Sequence, residues 1–594
     1  NPPHIFWDSD VAKWIEAASY SLAAQYDAPL DARLDDVIGK LARLQQPDGY
    51  VNSHYILVEP GKRWTNLRDK HELYCAGHLI EAAVAHQQAT GKRTLLDIVC
   101  KYADHIDATF GRAGEKRRGY CGHEEIELAL VKLFHVTGER RYLNLAQYFI
   151  DERGVGEWAG QPRPYDDDGV GARSPRPVEH YFDREARERG DDPRAFWAKT
   201  YAYMQAHQPV REQTEVVGHA VRAMYLYSAM ADLAANTDDV SLLAACERLW
   251  HSVCETQMYL TGGIGQTHAN EGFTGAYDLP DDTAYAETCA AIGLVMWAQR
   301  MLRVAGDGRY ADVMERALYN GVLSGVSLDG AKFFYENPLA SRGHHHRQAW
   351  FDCACCPPNL ARLLASLGGY VYSTGERDAW VHLYAQGEAK LEVGNWKLDV
   401  RQQTCYPWDG GVRIELRLES PRTFTLHLRV PSWCERWRLL VNGVETLQAT
   451  SLQNGYLHLM REWSPGDVVT LNMAMPVRYV FAHPNARQMI GRVALQRGPI
   501  VYCLEGVDHD GLALDRIALR TDVPAHRVFK AEHHHELLGG VTVLRGTGVA
   551  LDYADDDESL YRFTAPRARE VPVTAVPYCV WDNRAVGEMR VWLR

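Results

Sequence analysis

Three thiols crowd into the segment CACCPPN, as Cys353, Cys355 and Cys356, and Pro357 and Pro358 follow where a helix would start. Such crowding reads as metal chemistry or a reactive thiol, not as a disulfide framework. Adjacent side chains diverge, so this segment cannot easily close a tetrahedral site alone; a structural zinc usually recruits ligands from a second segment. Glu287-Thr288-Cys289 suits that part, because its Glu and Cys lie two residues apart at the start of an apolar helix, where non-helical geometry lets both point at one ion. Closed structural zinc sites are normally built from Cys and His, so a carboxylate in the set hints at function. Taken singly, any of these cysteines reads as core, since free Cys is among the most buried residue types.

These segments need a scaffold. From Trp7 to about Leu367 apolar residues recur at helical spacing, as in HELYCAGHLIEAAVAHQQATG and TAYAETCAAIGLVMWAQRMLRVAG, and about twelve amphipathic helices come in pairs joined by Gly-containing turns. Hairpins in that number suggest a closed (α/α)6 barrel, although an open helical solenoid gives the same pattern. Residues 155–195 and 260–283 read as loops rimming one mouth. After about residue 370 the period changes to two, in segments such as VRIELRLES and FTLHLRVPSW, which predicts a β-sandwich. The turns Asn454-Gly455-Tyr456 and Pro465-Gly466-Asp467 support hairpins. Strand-like segments resume at GRVALQRGPIVYCLEG and run on past the acidic loop DYADDDES. The expected division is a helical domain over 1–370, a β-sandwich over 371–480 and a second β-rich domain over 481–594.

Composition narrows the function. With 64 Lys+Arg against 77 Asp+Glu the formal charge is −13, and no basic run is long enough to track a phosphate backbone. No segment reaches the roughly 18 apolar residues of a membrane span. Nucleic acid and membrane are therefore not expected partners. The 16 Trp and 31 Tyr lean toward sugar stacking. NPPHIFWDSD at the start has no apolar signal-peptide core, which favours a cytoplasmic location, but a chain beginning without Met leaves that open.

Several motifs together resemble the zinc-dependent β-L-arabinofuranosidases of glycoside hydrolase family 127: FWDSD (6–10), HELYCAGH (71–78), PVREQTEVVGHAVRA (209–223), GGIG and NEGFTGAYDLP (262–280), AYAETCA (284–290), FFYENPL (333–339) and CACCPPN (353–359). The resemblance spans essentially the whole chain and implies an (α/α)6 barrel with β-sandwich domains. It implies Zn2+ as cofactor on Glu287, Cys289, Cys355 and Cys356, with Cys355 also the nucleophile and Glu271 the general acid/base. It further implies sugar contacts from His71, His123, His219 and Tyr335, each of which also reads as an ordinary core or surface residue. This chemistry is coherent, because a retaining glycosidase needs a nucleophile and a second group that protonates the leaving oxygen and later activates water. Zinc strips the proton from a thiol whose ordinary pKa is about 8.5.

The expected activity is a retaining exo-glycosidase that removes non-reducing terminal β-L-arabinofuranose from oligosaccharides or glycoconjugates. The alternatives are a related furanosidase acting on a branched acidic sugar, a lyase or unsaturated-uronide hydrolase on the same toroid, and a non-catalytic carbohydrate-binding protein with structural zinc. The four ligand positions argue against the lyase. A β-rich tail on a large barrel makes a homodimer plausible. The runs His344–His346 and His533–His535 read as solvated, since neighbouring imidazoles diverge. Asp278, Asp281 and Asp282 read as loop charges, one of which could tune Glu271. His78, seven residues after His71, could share its helix face.

Overall fold

The computed structural model describes residues 2–155, 161–162, 175–176, 180–446, 452–552, 560–561 and 563–594. Its helices alternate between two kinds. Glu72–Thr90 buries every residue from Glu72 to His86, and Ala220–Thr237 and Thr288–Ala305 are covered almost all round. The helices that follow them bury one stripe or less; Ala28–Leu44 buries only Leu34 and Ile38. A helix apolar all round belongs inside and one with a single stripe outside, so the alternation builds an inner and an outer layer. Left-handed caps at Gly91, Gly138 and Gly306 end three inner helices and turn the chain toward an outer partner. The helical part is of the (α/α)6 kind, followed by β-sheet domains.

The chain forms two compact units. The first comprises Asn1–Thr256, Thr267–Ala276 and Cys353–Ser366. In it the inner helices lie side by side: Trp7–Ala24 packs on Glu72–Thr90 and on Cys356–Ser366, and Ile126–Thr137 packs between Glu72–Thr90 and Ala220–Thr237. The second comprises Gln257–Gln266, Tyr277–Asp352 and Leu367–Arg594. It holds the helix pair Thr288–Ala305 and Gly308–Arg316 and the β-structure. One six-stranded and one four-stranded sheet carry Val393, Leu398, Val400, Ile414, Leu426, Leu428, Leu457 and Leu471 in a shared core. Beyond them lies a nine-stranded sheet whose longest pair is Val541–Asp552 against Arg567–Pro577.

Three expectations need revision. Tyr181–Glu188 is a helix inside the stretch read as loop; its sequence YFDREARE is so charged that no apolar stripe announces it, although His180 caps it by accepting from the Phe182 N–H. Residues 156–160, 163–174 and 177–179 of that loop reading lie outside the described residues, as does most of DYADDDES. Pro465-Gly466-Asp467 does not close a hairpin. The strand before it, Tyr456–Trp463, pairs with Arg422–Arg429, whereas the strand after it, Val468–Met473, pairs in the other sheet with Gly411–Arg417. A turn in a sandwich can pass the chain between sheets, and local sequence does not distinguish the two outcomes. The first histidine run is not simply solvated either: His345 stacks on Phe334 and bonds the Glu336 carbonyl, and His346 pairs with Asp582 at 2.7 Å.

Candidate active site and metal centre

Glu271 sits in left-handed backbone at φ 50°, which costs a residue bearing a Cβ roughly 1–2 kcal/mol. A close crossing with the segment ahead of helix Ala220–Thr237 holds it there. Ala220 N–H donates to the Glu271 carbonyl at 3.1 Å, and Phe273 N–H donates to the Gly218 carbonyl at 2.9 Å. A Cβ on Gly272 would lie 1.8 Å from the Gly218 oxygen, so the crossing requires glycine.

His219 is the N-cap of that helix, its Nδ1 accepting from the N–H groups of Val221 and Arg222. A neutral imidazole whose Nδ1 accepts carries its proton on Nε2, and Nε2 lies 3.0 Å from Glu271 Oε2. Tyr203 OH donates to the same oxygen at 3.1 Å, and the Arg222 guanidinium stands over the Tyr203 ring. Burial pushes the Glu271 pKa up, but the His219 and Tyr203 hydrogen bonds and the Arg222 charge outweigh it and hold the carboxyl well below the usual carboxylate range. Burial likewise lowers His71, to about 3, and also His123 and His219. All three are neutral at pH 7; His219 spends both ring nitrogens on the helix N–H groups and Glu271, while His123 Nδ1 donates to the Glu124 carbonyl at 3.1 Å and leaves its Nε2 as an acceptor suited to a sugar hydroxyl. Ring centroids lie 5.5 Å apart for His71–His123 and 5.6 Å for His123–His219, so the three form one file ending at Glu271.

Cys355 and Cys356 open the helix Cys356–Ser366, with their Sγ atoms 3.8 Å apart. Glu287 is the residue ahead of helix Thr288–Ala305, and Cys289 lies in its first turn. One ligand atom from each of the four residues lies within 4.8 Å of every other. A tetrahedral zinc with thiolates at about 2.3 Å separates its sulfurs by about 3.8 Å, so this donor set fits such an ion. Glu287, Cys289 and Cys356 are buried, whereas Cys355 is partly exposed. Cys353 is exposed and outside the group.

Both pairs are fixed by groups other than the thiols. Arg362, on the cysteine helix and 1% exposed, donates to Asn359 Oδ1, to Glu16 and Glu81 carboxylates at 2.9 and 2.5 Å, and to Tyr225 OH. Beside Glu287, Asn337 Nδ2 donates to the Ala286 carbonyl and Thr288 Oγ1, while Thr288 Oγ1 donates to the Phe334 carbonyl. Tyr335 belongs to this second frame, its carbonyl accepting from Thr288 N–H at 2.9 Å.

The described residues offer a second such group, His78, Glu81 and Glu125, all buried. Here the charge is already met. Burial raises Glu81, but the Lys132 and Arg362 cations outweigh it and hold it well down, whereas burial and the Glu81 charge drive Glu125 well up. Glu125 thus stays a neutral acid hydrogen-bonded to an ionised Glu81, with neutral His78 at 3.1 Å. A proton occupies the role a cation would take. His78 and Glu81 are three apart on one helix, a spacing visible in the sequence; Glu125 arrives from another segment.

Sequence reasoning missed Tyr203 and Arg222. A buried Arg in the first turn of an otherwise apolar helix was a usable signal for Arg222; Tyr203 had none. In the acidic stretch Asp278 accepts from Gln488 and Asp281 pairs with Arg492, both within the second unit.

A file of neutral histidines ending at a carboxylate, on a helical scaffold of this kind, suits a protein that acts on carbohydrate. The model of the β-L-arabinofuranosidase GH127 catalytic domain matches residues 1–369, that of the GH127 middle domain 378–475 and that of the glycoside hydrolase family 127 C-terminal domain 477–594. The chain is 39% identical to a non-reducing end β-L-arabinofuranosidase of Bifidobacterium longum subsp. longum, over 99% of this chain and 89% of that relative. A crystal structure of a GH127 β-L-arabinofuranosidase from Geobacillus stearothermophilus T6 is 49% identical with a TM-score of 0.93, covering 100% of this chain and 91% of that one. A second solved GH127 β-arabinofuranosidase is 38% identical with a TM-score of 0.86, over 99% and 88%. The chain belongs to glycoside hydrolase family 127. No helix among its described residues is long and apolar enough to cross a membrane.

Proposed function

We propose that this protein is a retaining exo-β-L-arabinofuranosidase, with Cys355 as nucleophile and Glu271 as general acid/base. The observation that carries this reading is the Glu287, Cys289, Cys355 and Cys356 group, in which only Cys355 is not fully buried and so can meet a sugar. These four would hold zinc, which when bound keeps the Cys355 thiol deprotonated at neutral pH. Cys355 Sγ displaces the leaving oxygen at the anomeric carbon while Glu271 gives that oxygen a proton. In the second step Glu271 takes a proton from water, water oxygen bonds to the carbon, and sulfur leaves; two inversions give net retention. The low pKa of Glu271 belongs to the open site. A substrate that excludes water strengthens the desolvation that already pushes this carboxyl up, so proton uptake accompanies binding. His71, His123, His219 and Tyr335 contact the sugar hydroxyls. Domain limits at 1–370, 371–480 and 481–594, a homodimer and a cytoplasmic location complete the reading. The three family-model ranges support the limits, and sedimentation equilibrium tests the dimer.

A panel of nitrophenyl glycosides, with and without chelator, tests the activity: β-L-arabinofuranoside should turn over, and prolonged chelation should stop it. An acidic furanoside belongs in the panel, because Arg222 places a buried cation beside the acid. Preferred turnover of that substrate would replace the neutral sugar. The purified enzyme should carry about one zinc per chain, since among the described residues one group has the thiolate donor set for it; active protein without metal would refute the site.

His219 supplies a pH test. Without its donor the Glu271 carboxylate loses stabilisation, so its pKa rises and more of it is protonated at any given pH. In H219F the basic limb of kcat on a substrate with a sugar leaving group, which reports the acid in the bound complex, is expected to move up by about one pH unit, even as the maximum falls. A limb that stays in place would remove His219 from the acid's control.

A further inference from the structure

The file of rings does not stop at Glu271. Trp197 meets Tyr203 edge-on at 5.2 Å and Tyr203 meets His219 at 5.4 Å, so the file runs Trp197, Tyr203, His219, His123, His71. Glu271 bonds its second and third members, Tyr203 and His219. Exposure falls from 61% at Trp197 to 8% at Tyr203 and 6% at His219. An exposed Trp is unremarkable by itself. This one is held in place by its neighbour: Phe196 stacks on Tyr201 at 5.5 Å and lies under the Arg68 guanidinium, and Tyr201 stacks on His180 at 3.9 Å. Arg68 also donates to the Pro193 carbonyl. The segment is anchored on its inner side while the indole is left facing water.

A general acid sits beside the glycosidic oxygen, so it divides the sugar being cleaved from the group that leaves. The histidines lie on one side of Glu271 in this file and Trp197 on the other. We propose that Trp197 is the stacking platform for a sugar in the leaving-group position, and so sets the preference for oligosaccharides over simple glycosides. This rests on the reading of Glu271 as the acid. A pre-positioned flat ring gains contact area with little loss of side-chain freedom.

The test compares a disaccharide of two β-linked L-arabinofuranosyl residues with methyl β-L-arabinofuranoside, whose leaving group is too small to cover an indole. In W197A the ratio of kcat/KM for disaccharide over methyl glycoside should fall about tenfold, the effect of uncovering roughly 50 Å² of apolar contact. W197F, which keeps a flat ring, should retain most of the ratio. An unchanged ratio in W197A, or equal losses on both substrates, would overturn the platform while leaving the activity standing. Failure of the unaltered enzyme on both substrates would overturn the functional reading and this inference with it. Because the indole is on the surface, loss of folding is not expected to obscure the result, and circular dichroism of each variant checks it.

Discussion

C355S is expected to lose at least about a thousandfold in kcat on every β-L-arabinofuranoside, activated or not. Sulfur to oxygen is a small change in volume and a large one in acidity: a serine hydroxyl is a far weaker nucleophile than a thiolate at neutral pH. Glu287, Cys289 and Cys356, the other three of the proposed ligands, are unchanged in the variant, so zinc should be partly kept, and metal analysis of the same sample separates loss of nucleophile from loss of ion. Loss of less than about tenfold with zinc in place would move the nucleophile elsewhere and leave the cysteines to the metal alone. A furanose-configured haloacetamide should label Cys355 and no carboxylate, with substrate protecting, and NMR should show the β-anomer released first.

E271Q should divide substrates by their leaving groups. Sugar leaving groups need the proton, and kcat/KM on the disaccharide should drop by about a thousandfold. Nitrophenolate leaves without help, so kcat/KM on the aryl glycoside, which reports only the first step, should drop by about tenfold or less. Its kcat should fall much further, because the second step still lacks a base, and the glycosylated enzyme should build up as a burst. Equal losses in kcat/KM on both substrates would reduce Glu271 to a binding group.

The architecture was legible because burial leaves a period. Helical spacing before residue 370 and alternation after it follow from which faces meet water, and the first sandwich strand begins at Tyr372. Short charged elements escape that logic, as Tyr181–Glu188 did, and so do turns whose outcome depends on partners far along the chain. In the site, ligand types two residues apart, as at Glu287 and Cys289, announce themselves. Tyr203 does not: nothing in TYAYM marks one tyrosine from its neighbour, and only the fold carries residue 203 to residue 271. The glycines of the crossing were equally silent, since Gly272 is set apart by a carbonyl 54 residues earlier in the chain, at Gly218.

The bracing of the two ligand pairs bears on the protein stripped of its ion. In small zinc modules, ordering of the ligands is coupled to capture of the metal, and chelation unfolds the chain. Here Arg362 ties one pair to Glu16, Glu81 and Tyr225, and Asn337 ties the other to Ala286 and Thr288, with no thiol in either brace. Depletion should therefore leave a folded shell of nearly native circular dichroism that regains activity on adding zinc, without passing through a refolding phase. On the proposed zinc reading, the availability of the ion would act as a reversible throttle on turnover and not as a chaperone of the fold.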